Sequence, residues 1–298
     1  MVKGAHRAVA PDPPQFLMAA SGAKLGEPFR AFEFSDADFA RLQRMIYDLA
    51  GISLNSSKKA MAYSRLTKRI RALDVKNFGE YLDRVEHDSG EEKVRFINAL
   101  TTNLTYFFRE PHHFDLLAEH LKSCPWDAPL LLWSAACSTG EEPYSMAMAV
   151  IDAFGTDDPP VRIVATDLDS DVLATAVEGV YPMEKIDRLD RSLLKRFFLK
   201  GSGTQAGYAR VRPQVRRLVE FRQLNLVDGG WPVEGPFAAI FCRNVMIYFN
   251  KDTQRRILER FVPLLRPDGL LFAGHSENFH YNARDLFRIR GKTVYELA

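Results

Sequence analysis

In the first third of the chain, apolar residues recur at the spacing of one helix face. Phe39, Leu42, Met45, Ile46 and Leu49 share such a face. Ser35 stands where a hydroxyl caps the first turn, and Gly51 where a left-handed residue ends a helix. A second helix is predicted from Ser56 to Leu73, with Tyr63, Leu66, Ile70 and Leu73 on its apolar side. At about 100° per residue, Lys58, Arg65 and Arg69 fall on the opposite side, with Lys68 beside them. Helical pattern also covers Tyr81 to Leu100. No strand pattern interrupts residues 31–100, which read as an all-helical domain. Residues 1–30 are rich in Ala, Pro and Gly without a period and read as a disordered tail. Residues 101–128 read as a junction segment.

From residue 129 the pattern changes to short apolar runs alternating with helices. Strands are predicted at Leu130–Trp133, Val161–Thr166, Phe237–Cys242 and Leu270–Ala273. Helices are predicted at Pro143–Phe154, Asp171–Val177 and Thr253–Leu265. This alternation predicts an α/β fold, a doubly wound parallel sheet with helices on both faces. Phe287 to Tyr295 predicts a terminal antiparallel hairpin, the ending expected of class I methyltransferases rather than dehydrogenases. Residues 179–222 break the alternation with glycines and short alternating stretches such as Tyr208–Arg212, and read as a small inserted antiparallel subdomain.

Composition adds little by itself. The hydrophobic fraction is 46% and the charged fraction 26%, ordinary for a globular protein. No apolar run approaches the roughly 18 residues that span a bilayer, so insertion in a membrane is not expected. Phe16–Ala20 is too short for a signal-peptide core. The three cysteines are odd in number and lack metal-ligand spacing, which predicts reduced thiols and a cytoplasmic location. The net charge of +2 hides unlike blocks. Residues 58–71 hold six bases and no acid, residues 129–178 nine acids and one base, and residues 179–222 eleven bases and four acids. Different local partners are expected for such blocks. Nucleic acid is a poor fit, because the overall balance is near neutral and aromatics are not interleaved with the bases.

The first strand runs into Ser134-Ala135-Ala136-Cys137-Ser138-Thr139-Gly140-Glu141-Glu142-Pro143. Neither the dinucleotide glycine fingerprint nor a Walker lysine is present. Two carboxylates stand where a pyrophosphate would rest on a helix N-terminus, and they would repel it. They suit a cationic ligand without phosphate, such as S-adenosylmethionine (SAM), or they serve only the helix dipole. Asp167, after the second strand, suits ribose hydroxyls, and Asp169 suits a helix cap. After the fourth strand, Asn244 and Tyr248 can face a ligand, or Tyr248 is a packed aromatic with a wet hydroxyl. Thr101–Glu110 can close over a site or simply cap the junction. The basic helix is a docking surface or a solvated face.

These residues resemble the CheR family of chemotaxis receptor methyltransferases. The resemblance rests on Asn103-Leu104-Thr105 with Phe107-Phe108-Arg109-Glu110, on Ser138–Ser145, on Cys242–Phe249, and on the run from Phe261 to Phe279. It spans residues 33–298 in order. It implies a SAM-dependent enzyme that esterifies glutamate side chains on the cytoplasmic helices of chemoreceptors. It implies cofactor contacts by Asn103, Thr105, Arg109, Glu141, Asp167, Asn225, Leu226, Arg243 and Asn244. Arg109 and Tyr248 are implied at the methyl-transfer centre. Lys58, Arg65, Lys68 and Arg69 are implied to face the receptor. In some members the inserted subdomain docks a short peptide from the receptor C-terminus, which points to residues 179–222.

The chemistry agrees with this expectation. A glutamate carboxylate is ionised at neutral pH and attacks a sulfonium methyl without a general base. Catalysis is then mainly positioning and exclusion of water. No metal is required, and His275 reads as structural. Arg109 can hold a carboxylate, either the cofactor's or the substrate's. Cys137 and Cys242, at the ends of neighbouring strands, are expected near the cofactor, with activity sensitive to thiol reagents and protected by SAM. The rival readings are a small-molecule methyltransferase and a non-catalytic SAM sensor.

Overall fold

The structure, a computed structural model, describes residues 32–88, 90–124 and 129–298. The expected tail of residues 1–30 lies outside the described residues. Helix α1 (Asp36–Ala50) begins with a reciprocal cap: Asp38 N donates to Ser35 Oγ at 3.0 Å and Ser35 N donates to Asp38 Oδ2 at 3.0 Å. Gly51 ends it at φ 67°, where a side chain would be strained and a Cβ would lie 2.5 Å from Val227 Cγ1. Close approach of this turn to the sheet domain therefore requires glycine.

Helices α2 (Lys59–Ala72), α3 (Phe78–His87) and α4 (Glu91–Leu100) complete the helical domain. The helical pattern expected from Tyr81 to Leu100 is carried by two helices, with Asp88 accepting from the Gly90 and Glu92 amides between them. Leu42, Ile46, Leu66, Ile70, Phe78, Tyr81 and Phe96 are fully buried in one core. Leu168 and Tyr248 from the sheet domain pack against that core, so the two domains share apolar surface.

Residues 101–128, expected as a junction, contain helix α5 (His112–Ser123), which packs on the sheet domain through Phe114, Leu117 and Leu121. Strands β1 (Leu130–Ser134) and β2 (Val161–Asp167) bracket α6 (Glu141–Phe154), and α7 (Ser170–Glu178) follows. The insertion holds β3 (Val180–Pro182), α8 (Arg191–Phe197), β4 (Phe198–Lys200), β5 (Tyr208–Val211) and the short α9 (Pro213–Arg216). Then come β6 (Val219–Gln223), β7 (Phe237–Cys242), α10 (Lys251–Phe261), β8 (Leu265–Ala273), the short α11 (His280–Ala283), β9 (Phe287–Gly291) and β10 (Val294–Leu297).

The main sheet has seven strands in the order β6-β2-β1-β7-β8-β10-β9. The first five run parallel, and β10 pairs antiparallel with both β8 and β9. The small sheet, β3-β5-β4, is antiparallel. Residues 219–222 were expected in the insertion. They instead form most of β6, parallel to β2 from Ile163↔Val219 to Asp167↔Gln223. Alternation identifies an edge strand but not its partner, so the boundary could not be placed from pattern. Phe241, Phe272 and α6 form the core on one face, and Trp133, Ile240, Leu258 and Phe261 form it on the other. Among the described residues, no helix is long and apolar enough to cross a membrane.

Candidate active site

A cavity of roughly 320 Å³ opens at the carboxyl ends of β1, β2, β6 and β7. That is the size of a small-molecule site, at the edge where open parallel sheets bind ligands. Its floor comes from Ala135, Ala136, Ser138, Glu142 and Asp167. Its sides come from Leu224–Leu226, Arg243–Val245 and Tyr248. The junction covers it with Thr101–Tyr106 and Arg109, and the helical domain adds Ile52–Asn55 and Lys58. The loop 52–55 was not foreseen as a wall, since nothing in its composition marks it.

Backbone strain gathers here. Phe108, Glu110, Ser138 and Asn244 have φ between 49° and 58°, a region that costs L side chains energy. Each is over-determined by its neighbours. Ser138 N donates to Asp167 Oδ2 at 2.7 Å, and Ser138 Oγ to Asn103 O at 3.0 Å. Glu277, buried by the sheet, accepts from the amides of Asn244, Met246 and Gly274 at 2.5–2.8 Å. A Cβ on Gly274 would lie 2.3 Å from Asn244 Nδ2. The motif Gly274-His275-Ser276-Glu277 is thus a clamp on the turn after β7. Its acid is the residue that holds the turn, while its neighbour His275 donates its amide to Glu110 Oε1 at 3.0 Å.

Asp167 and Asp169 divide their work. Asp169 caps α7 by accepting from Asp171 N and Val172 N, and its other oxygen accepts from Thr101 Oγ1 and Asn103 Nδ2 at 2.8 and 2.7 Å. Asp167 faces the cavity with its oxygens bonded to the Ser138 and Asp169 amides. Burial pushes its carboxyl up to about 6, against the lowering effect of those two amides.

The adjacent acids of α6 part company. Glu142 lines the cavity, accepting from Ser134 Oγ at 2.7 Å and from Arg243 Nη1 at 3.1 Å. Its carboxyl is raised, first by burial. Glu141 is not on the cavity. It is fully buried behind the loop, with Lys185 Nζ of the insertion at 2.7 Å and Thr139 Oγ1 at 2.6 Å. One residue along a helix is a 100° turn, and the carboxylate aimed at the ligand side is the second of the pair.

Arg243 lines the cavity but its guanidinium is spoken for. It contacts Glu142, the Arg109 carbonyl, and Glu110 at 3.4 Å. Arg109 is half-buried on the wall, donating to Leu104 O at 2.9 Å, with its guanidinium 5.7 Å from the Tyr106 ring centre. Asn225 lines the cavity and donates to Leu49 O of α1 at 2.9 Å, tying the helical domain to the strand edge. Tyr248 lines it too, and its carbonyl accepts from Ser53 N at 2.8 Å. Asn103, Thr105, Leu226 and Asn244 also border the cavity.

The basic helix is only partly a surface. Arg65 donates to the carbonyls of Ala99 and Thr101, at the end of α4. Arg69 forms a two-point pair with buried Glu92, which also accepts from Tyr81 OH. Neither lines the cavity. Lys58, which does, and Lys68 are exposed. Helical phase put all four on one side, but side chains as long as arginine reach around to polar atoms at the next helix. The cysteine expectation is also corrected. Cys242 ends β7 and Cys137 lies in the loop beyond the neighbouring strand β1, but neither lines the cavity. Both are buried, and burial drives their thiols well above the usual range, which suppresses the reactive thiolate.

The donor set can be tested against SAM. Asp167 offers a carboxylate at the strand end, as ribose hydroxyls require, and Glu142 offers negative charge for a cationic centre. Leu168, Leu224 and Leu226 supply apolar walls for a planar ring, and Arg109 is a counter-ion for a carboxylate. The residues fit the group. Sheet order, terminal hairpin and this edge together define a class I methyltransferase with a SAM site.

Comparison with known proteins makes the class specific. Residues 37–101 match the CheR methyltransferase all-alpha domain, and residues 103–295 match the CheR methyltransferase SAM binding domain. Chemotaxis protein methyltransferase 2 of Pseudomonas aeruginosa is 53% identical over 90% of this chain and 95% of its own. The chemotaxis protein methyltransferase of Escherichia coli is 50% identical over 89% and 92% respectively. Among solved structures, a TehB-like SAM-dependent methyltransferase from Corynebacterium glutamicum is 13% identical, covers 63% of this chain and 100% of its own, and gives a TM-score of 0.36. The chain belongs to the CheR methyltransferase family and is a SAM-dependent methyltransferase of the chemotaxis class.

Proposed function

We propose that the methyl acceptor is the side-chain carboxylate of glutamate on the cytoplasmic helices of chemoreceptors, and that the products are a glutamate methyl ester and S-adenosylhomocysteine. The reaction serves sensory adaptation and takes place in the cytoplasm. The observation that carries this reading is the charge division of the cavity. Carboxylates of Glu142 and Asp167 occupy the strand edge, while Arg109 and Lys58 stand in the covering wall. An anionic acceptor entering from the covered side meets cations first.

When bound, SAM supplies a methyl group on a sulfonium that an ionised carboxylate can attack. The protein's part is positioning. Asp167, Asn225 and Leu226 hold the nucleoside end, and Asn103, Thr105 and Asn244 border the remainder. Arg243 acts behind them by fixing Glu142. Arg109 orients a carboxylate, and Tyr248 offers a hydroxyl beside the transfer centre. No proton need be removed, because glutamate is ionised at neutral pH. The half-buried wall limits water around the reacting atoms.

Docking of a receptor C-terminal peptide on the insertion belongs to the same reading. Among the described residues, strand β4 pairs with β5 and no other strand, so its other edge can take a further strand. Heat on titrating such a peptide supports docking, and none at high concentration counts against it.

The principal experiment is transfer of labelled methyl from SAM to receptor-bearing membranes, with release as methanol in mild base. Arg109→Ala should lose at least about a hundredfold in rate with the fold retained. Near-wild-type rates for the variant would remove Arg109 from the site. Base-stable label would remove the ester.

A further inference from the structure

The chain between β6 and β7 carries Asn225 and Leu226 on the cavity, yet residues 224–236 are turns and extended backbone rather than helix or strand. Two successive glycines, Gly229 and Gly230, raise the entropy cost of holding this loop in one shape. A cofactor wall built on such a loop needs an anchor.

Arg260, in the last turn of α10, supplies one. Its Nη1 donates to the carbonyls of Leu226, at 3.4 Å, and Asp228, and its Nη2 donates to that of Gly229 at 3.1 Å. Its guanidinium also lies 3.7 Å from the centre of the Trp231 ring. Trp231 in turn packs against Trp133 and Phe261, each at 5.3 Å between ring centres. One planar cation thus holds the loop from residue 226 to residue 231, by edge and by face. Arginine suits this because its fork donates in its own plane while its face stacks, and a lysine ammonium cannot do both. At the start of the loop, Asn225 Nδ2 donates to Asp228 Oδ1 at 2.9 Å, so the clasp on Asp228 reaches Asn225 as well.

Arg260 itself lines no part of the cavity, so its effect on a ligand must pass through Leu226 and Asn225. Such an effect has a signature. Cofactor held by a displaced wall binds more weakly, but once bound it meets the same Arg109 and Tyr248. The KM for SAM should therefore move while kcat does not. A residue that only supported the fold would lower the amount of active enzyme and leave the affinity of the folded fraction alone.

We propose that Arg260 is a positioning residue of the cofactor site, clasping the loop 226–231 so that Asn225 and Leu226 stand against the nucleoside end of SAM. This rests on the assignment of those two residues to the nucleoside end. The test uses the full chain, with calorimetry of SAM and of adenosine, which carries the nucleoside alone. Arg260→Ala should weaken both ligands by a similar factor, on the order of tenfold. Its kcat at saturating SAM and its KM for receptor should stay within about twofold of wild type. Arg260→Lys keeps the charge and disturbs folding less, and it should weaken SAM about threefold. Unchanged SAM affinity in both variants, or a lowered kcat with an unchanged KM for SAM, overturns the clasp. Asn225→Ala separates the two layers. If it weakens adenosine and Arg260→Ala does not, the clasp fails and the nucleoside assignment stands. If neither variant weakens adenosine, both fail.

Discussion

In the helical domain, Arg69 meets Glu92 through two parallel hydrogen bonds, and Tyr81 OH donates a third to the same acid. In the sheet domain, Arg243 is more deeply buried and is shared among Glu142, Glu110 and a carbonyl, with its Nε and Glu110 Oε2 left without hydrogen bonds. The first arrangement is closed and serves as a strut between α2 and α4. The second is an open hub behind a cavity, with a carboxylate on the ligand side. The same residue types therefore mark structure in one place and a site in the other. What separates them is whether their hydrogen bonds are complete.

Removing each hub tests that distinction. Arg243→Ala would strand two carboxylates without a cation, which should cost about 4 kcal/mol of stability and abolish SAM binding. Urea unfolding and calorimetry check it, and an unchanged midpoint with normal binding heat would erase the contrast. Arg69→Ala should cost less, about 3 kcal/mol, because its side chain is partly solvated. The folded fraction should keep its wild-type kcat. A lowered kcat at constant stability would make the strut part of the site.

A smaller effect should appear with pH. The Asp167 carboxyl is raised to about 6 by burial, so the folded state holds its proton more tightly than the unfolded chain does. Its contribution to stability is full below about pH 4 and is lost as pH rises through about 6. Ligand hydroxyls favour the ionised form, so SAM affinity should fall below pH 6, by no more than about tenfold per unit. Asp167→Asn should flatten that profile in calorimetry. The smallest effect concerns thiols. Iodoacetamide should leave Cys137 and Cys242 unlabelled in the folded enzyme, with or without SAM, as mass spectrometry would show. Rapid native labelling would mean that the strand ends open.

The contrast also explains what was legible in the sequence. Helix α1 and its ends were readable because Ser35, the apolar face and Gly51 all act locally. The parallel strands were readable from continuous apolar runs. Helix α5 was overlooked although Phe114, Leu117 and Leu121 have helical spacing, because the polar stretch before it read as linker. Asp167, Asn244 and Tyr248 were readable from their places at strand ends, whereas Asn103, Thr105, Arg109, Asn225, Leu226 and Arg243 were suggested by the family resemblance alone. The exchange of Glu141 for Glu142 was not readable, since it depends on a lysine some forty residues away that turns one carboxylate inward. Arg65 and Arg69 were misplaced for the same reason: side-chain partners across helices leave no periodic signal.

The tie between Glu141 and Lys185 has a consequence for engineering. The small sheet looks like an accessory that could be cut away to leave a minimal enzyme. Lys185, in the turn just after β3, neutralises an acid with no exposure of its own, and the Tyr181 hydroxyl of β3 donates to the Thr139 carbonyl at 2.6 Å, in the loop after the first strand. Excision would leave that loop resting on an uncompensated charge. Grafting a different recognition module onto this scaffold must therefore keep residues 181–185 as part of the catalytic chassis and exchange only what lies beyond them.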